Sequence, residues 1–228
     1  ATRAELLLLS PSFLVPCLEH GPVKVWDTLA IAEYLNELKP EAGLLPSDPA
    51  ARAHCRAVCG EMHSGFANLR SALPMNLKAH HPGFKVWAGA QADIDRVATI
   101  WRDCLQRYGG PYLFGKTPTM ADAMYAPVCS RFATYDVKLE PACAAYRDLM
   151  LKFPPMLEWT VAARNEPATT TYGPSHERRV PNEETAASAT PNALHRGGVS
   201  LTTGWLPITV QVLTLAAVAV AVGRRSRD

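Results

Sequence analysis

A charge of one sign is what this sequence most plainly lacks. Its 23 Lys and Arg stand against 21 Asp and Glu, leaving a formal net charge of +2 over 228 residues. So balanced a chain has no electrostatic footprint for a phosphate backbone, which excludes nucleic acid as a main partner. Cys-x-x-Cys pairs are missing as well. Cys17, Cys55, Cys59, Cys104, Cys129 and Cys143 are scattered. In a chain of this size they read as buried thiols of a reducing compartment, not as a disulfide framework. A secretion signal is absent: Leu6 to Leu9 is too short for a signal core, and Ser10-Pro11 follows with no A-x-A site. The first residue is Ala1 and not Met, which reads as a processed chain or a fragment. A metal-ligand set is missing too. His54 and His63 lie nine apart on a helical stretch, His80-His81 is a loop pair, and no Asp or Glu completes a site at ligand spacing.

What is present is apolar mass in helical register. Hydrophobic residues make up 48% of the chain and charged residues 19%, the balance of a globular protein with a core. A short helix is expected within Arg3 to Leu9. Phe13–Leu18 and Val23–Trp26 are β-rich runs around Glu19-His20-Gly21-Pro22, which predicts a hairpin. Pro16 demotes its first strand to an edge. Asp27 or Thr28 then caps a helix over 29–38, ended by Lys39-Pro40. Gly43, Pro46, Ser47 and Pro49 mark a linker.

Beyond it the period becomes helical. Ala57, Val58, Met62, Phe66, Leu69 and Leu73 predict one helical run over 50–78. Ile94, Val97, Trp101, Cys104 and Tyr108 predict another over 90–108, stopped by Gly109-Gly110-Pro111. Further helices are expected from Thr119, after Pro141 and after Pro154-Pro155, proline being tolerated in a first turn. The expected architecture is α+β, with a small mixed piece at 1–40 and an all-helical domain at 50–166. Residues 167–204 are rich in Thr, Ser, Pro, Asn and Gly and read as a disordered linker. Residues 205–228 form an apolar tail. Its uncharged part, Trp205–Val222, borders on the length of a membrane span, and Arg224, Arg225 and Arg227 follow it.

Two motifs carry chemistry. Val15-Pro16 lies within the first β-rich run, and Trp26-Asp27-Thr28-Leu29-Ala30-Ile31 opens the first helix. A helix start offers free N–H groups and partial positive charge, which suits a carboxylate ligand. Alone, each motif has a bland explanation: an edge-strand proline, and an N-cap. Farther along, Thr119-x-x-Asp122 has the spacing of a capping box.

In this order, together with Phe114-Gly115-Lys116-Thr117-Pro118, these motifs resemble the bacterial-type cytosolic glutathione S-transferases over about residues 3–172. The resemblance implies a partial thioredoxin-like domain followed by the family's all-α C-terminal domain. It implies that glutathione is the co-substrate and that Val15-Pro16 is a cis bond whose Val15 backbone pairs with the cysteinyl part. Thr28 would hold the γ-glutamyl carboxylate, and Asp27 its ammonium. By family analogy the electrophile would lie near Met62, Phe66 and Arg70, although Met62 and Phe66 suit core and dimer packing better. The implied activity is thiolate transfer to an electrophile, with isomerisation of a maleylacetoacetate-like compound within that chemistry, in a cytoplasmic homodimer formed through residues 50–108.

The family's first βαβ unit, which carries the thiol-activating Ser, Tyr or Cys, takes roughly 30 or more residues. Only a few residues precede Ser10-Pro11. We therefore expect the catalytic residue to be absent, and no other Ser, Tyr or Cys takes its place by motif. Strand alternation turns Cys17 toward packing. A non-catalytic glutathione-binding or interaction protein is the alternative reading, and a membrane-associated chain held by its tail is a third.

Overall fold

The computed structural model describes residues 16–165. The expected helix within 3–9, the Val15–Pro16 bond, the linker at 167–204 and the tail at 205–228 lie outside the described residues.

The chain enters through an antiparallel hairpin of β1 (Cys17–His20) and β2 (Val23–Trp26). Pairing runs from Cys17↔Trp26 to His20↔Val23. Glu19 and His20, expected in the turn, are paired in β1, so the turn tightens to Gly21-Pro22. Two-residue hairpin turns need left-handed backbone, and Gly21 supplies it with φ 58°. Helix α1 (Thr28–Leu38) lies against β2. The His20 Nδ1–Tyr34 hydroxyl bond of 2.8 Å ties it to the hairpin.

A short 3-10 turn over Pro40–Ala42 leads to the connector. Leu44 and Leu45 are buried there, and the Leu44 carbonyl accepts the Met120 N–H at 2.7 Å. The connector is thereby fixed to the helical domain.

That domain comprises α2 (Pro49–Ser64), α3 (Ala67–Ala72), α4 (Ala88–Tyr108), α5 (Met120–Thr134), α6 (Pro141–Leu151) and α7 (Pro154–Asn165). The single run expected over 50–78 is in fact two helices. Gly65 ends α2, donating its N–H to the Glu61 carbonyl at 2.9 Å. A Cβ at Gly65 would stand 2.6 Å from that oxygen, so this cap requires glycine. Phe66 then takes the left-handed conformation at φ 58°, which breaks the helical path. The apolar period continues through the break because both helices bury the same side, and periodicity alone could not reveal it. The Asp93 carboxylate, on α4, accepts the Leu69 N–H at 2.9 Å and closes the start of α3.

Helix α5 is the centre of the domain. Every residue in it except Ala133 is buried, as expected of a helix apolar all round. Trp101 of α4 is fully buried and meets the rings of Tyr125, Phe132 and Tyr146 at centroid distances of 6.1, 5.4 and 4.9 Å. Asp122 anchors the start of α5. Its carboxylate accepts the N–H of Leu113 at 3.0 Å and of Thr119 at 2.7 Å. It also accepts the hydroxyls of Thr119 at 3.0 Å and Tyr146 at 3.1 Å. The capping box read from Thr119-x-x-Asp122 is formed, but it reaches farther than its spacing implies, across to α6. Burial pushes the Asp122 carboxyl above the ordinary carboxylate range, against those hydrogen bonds, which pull it down.

Candidate functional site

Local sequence decides the geometry at the start of α1. Asp27 is the N-cap: its Oδ1 accepts the N–H of Leu29 at 2.9 Å and of Ala30 at 3.4 Å. The choice left open between Asp27 and Thr28 as cap therefore falls to Asp27. Thr28 is the first helical residue and only 3% exposed. Asp27 adopts φ 75° and ψ 133°, a conformation that costs a non-glycine residue on the order of 1–3 kcal/mol. Such strain persists only where the surroundings hold it, and it tends to mark ligand sites.

Part of what holds it comes from far along the chain. His63, in the last turn of α2, places Nε2 2.9 Å from Asp27 Oδ2. Both side chains are partly open, 37% for His63 and 43% for Asp27. Sequence reasoning considered His63 only as a metal ligand and missed this pairing. No spacing rule joins residues on separate elements; the one available signal was a basic side chain at a helix end. The α2 end is itself secured by Arg70. Its guanidinium donates to the Met62 carbonyl and, at 3.1 Å, to the His63 carbonyl.

The electrophile positions separate on inspection. Met62 and Phe66 are 4% and 7% exposed and belong to the core. Arg70 is occupied with backbone carbonyls. A cleft of about 740 Å³ lies elsewhere, with Glu41, Asp48, Arg52, Tyr108 and Phe114 among its walls and none of Asp27, Thr28 or His63.

Cysteine chemistry is equally constrained. Five cysteines are buried and Cys17 is half-buried, all as free thiols. A hydrogen bond to Cys55, then burial, raises the Cys59 thiol well above its ordinary range. Burial raises Cys129 likewise and pushes Cys104 and Cys143 up to about 12. These four remain thiols at neutral pH and are poor nucleophiles. Among the described residues, no three His, Cys, Asp or Glu side chains are grouped to hold a metal. Nor is any described helix long and apolar enough to cross a membrane.

Comparison with known proteins bears on the fold that carries this arrangement. Residues 77–162 match the family model for the glutathione S-transferase C-terminal domain. Over that stretch the chain is similar to the C-terminal domain of the glutathione S-transferases. Maleylacetoacetate isomerase of Rattus norvegicus is 31% identical over 137 residues, which cover 60% of this chain and 62% of that protein. The chain therefore spans less than two thirds of that relative. A maleyl pyruvate isomerase structure, titled a bacterial glutathione S-transferase of the Zeta class, superposes with a TM-score of 0.54 at 25% identity. It covers 72% of this chain and 81% of its own. A glutathione transferase homolog from Burkholderia, solved with bound glutathione, superposes with a TM-score of 0.51 at 23% identity, covering 69% and 77%. The α+β architecture expected from the sequence, a short thioredoxin-like piece followed by an all-α C-terminal domain, is the one these structures share.

Proposed function

We propose that this chain binds glutathione at the start of α1 and takes part in glutathione transfer to an electrophile. Asp27 carries the reading. Its strained N-cap conformation holds a partly exposed carboxylate at a helix N-terminus. An α-amino acid end, with one ammonium and one carboxylate, suits such a place. The ammonium goes to Asp27, and the carboxylate to the partial positive charge of the first turn at the Thr28 N–H, the Leu29 and Ala30 N–H groups being taken by Asp27 itself. The bland alternative, a cap alone, leaves the positive φ without a purpose, since a cap forms readily from extended backbone. In this reading Val15 and Pro16 supply the strand edge for the cysteinyl part.

The maleylacetoacetate isomerase relative supports isomerisation by glutathione addition as the reaction class. A cytoplasmic location, with reduced thiols, and a homodimer through the long helices of residues 50–108 complete the proposal. The alternative is glutathione binding without catalysis. Cys59, Cys104, Cys129 and Cys143, held as thiols, supply no catalytic cysteine in place of the family's thiol-activating residue.

Calorimetric titration of the full chain with glutathione tests the binding. Asp27→Asn keeps an oxygen to cap the helix and removes the charge. We expect binding in wild type and a loss of about tenfold in the variant, the scale of one charge-assisted hydrogen bond. Binding that ignores the substitution would refute the assignment. A conjugation assay on the same sample then separates transferase from binding protein.

A further inference from the structure

Lone pairs on Asp27 can be counted. A carboxylate offers about four acceptor positions, two on each oxygen. Oδ1 already receives two N–H groups, from Leu29 and Ala30. His63 Nε2 lies 2.9 Å from Oδ2, in ion-pair range. The Asp27 side chain is partly open, 43% exposed, and Oδ2 keeps acceptor capacity beyond this contact.

We propose that His63 is a positioning residue for glutathione: by holding Asp27 Oδ2, it aims the remaining acceptor capacity at the γ-glutamyl ammonium. The inference rests on the proposed glutathione site and adds to it a residue from a different element. Without His63, the carboxylate can turn about its side-chain bond and lose either its cap or its direction. With it, both oxygens are fixed and the site accepts the ammonium in one direction. Arg70 extends the arrangement one step back, because its guanidinium fixes the carbonyls of the turn that carries His63. The chain of contacts therefore runs Arg70, the α2 end, His63, Asp27. It accounts for a partly buried arginine that touches no ligand position.

The same pair could instead be a clip between α1 and α2, and the test is built to tell the two apart. The full chain is titrated calorimetrically with glutathione and with an analogue whose γ-glutamyl amino group is replaced by hydrogen. His63→Ala and His63→Gln are compared with wild type, after thermal unfolding shows each to be folded. We expect His63→Ala to weaken glutathione about tenfold, one hydrogen bond to a charged group, and to leave the analogue's affinity unchanged. His63→Gln, which keeps an N–H donor, restores most of the loss, and it carries the test should the alanine variant not fold. Equal losses for both ligands, or no loss in either variant, would overturn the positioning role. Should Asp27→Asn weaken glutathione while both His63 variants bind normally, this inference fails and the glutathione site stands. Should a folded wild-type chain bind no glutathione, or Asp27→Asn bind as wild type does, both fall.

Discussion

The hairpin with α1 and the helical domain stand at opposite ends of a scale of burial. In the hairpin only Pro16, Cys17, Leu18 and Val25 are even half-buried, and Trp26 is 43% exposed. In the domain, Trp101, Tyr125, Phe132 and Tyr146 are at most 2% exposed and touch one another. The difference separates two tasks. The domain has its own core and fixes α2 in place. The hairpin and α1 borrow order from it, through Ala32 in the common core, Leu29 and Leu35 against it, and the Glu33–Arg56 pair at the edge, with contacts of 2.7 and 2.9 Å. The candidate site lies at the seam, where Asp27 of the borrowed part meets His63 of the ordered part. A two-stranded hairpin alone is marginal in water, and packing on a helix is what such a unit needs.

The largest expected effect tests the ordered side. Trp101→Ala should destabilise by about 3–5 kcal/mol, the cost of emptying a large core position. Urea unfolding followed by far-ultraviolet circular dichroism reads it. Loss of the domain should carry the hairpin with it; a hairpin that keeps its structure would break the comparison. Asp122→Ala comes next. It leaves two buried backbone N–H groups and the Tyr146 hydroxyl without their acceptor, at about 1–3 kcal/mol for each orphaned group.

The same carboxyl sets a pH dependence. Its folded value lies above the ordinary 3.8 because of burial, so the folded state holds this proton more tightly than the unfolded one. Its contribution is therefore fully present below 3.8 and is lost as pH rises through the raised value. Stability of wild type relative to Asp122→Asn should fall with rising pH over that window. A difference that grows would contradict the burial argument.

Smaller effects sharpen the seam. Arg56→Ala should cost no more than about 1 kcal/mol, as exposed ion pairs do. Hydrogen exchange should speed up at α1 amides and stay unchanged in α5. Equal acceleration in both would mean that the two regions open as one unit. His54 gives the least. It bonds the Tyr108 hydroxyl at 2.9 Å, and burial, then the Arg107 charge, lowers it from the ordinary 6.5. Its contribution is present above 6.5 and lost as pH falls through the lowered value. His54→Gln should flatten that acid limb in a stability-against-pH series.

Much of this was legible in the sequence where the signal is local. Helix starts at Pro141 and Pro154, the α4 stop at Gly109 and the capping box at Thr119 and Asp122 follow from cap chemistry within a turn or two, whereas Pro49, read as linker, opens α2. Gly65 and Phe66 escaped because the break sits inside an unbroken apolar period. Met62 and Phe66 suit core packing better than a pocket, and their burial places them in the core. The site was half legible. The Asp27-Thr28 pair is visible as a helix start, but His63 reaches Asp27 through the tertiary placement of α2, and Asp122 reaches Tyr146 in the same non-local way. No spacing encodes such contacts.

The most direct measurement is glutathione affinity across the seam, wild type against Asp27→Asn, with the melting temperature recorded for both. The account predicts clear binding by wild type and a loss of about tenfold in the variant, with little change in melting because the cap oxygen survives. Equal affinity in two folded proteins would contradict it, and the strained Asp27 would then be a structural cap and nothing more.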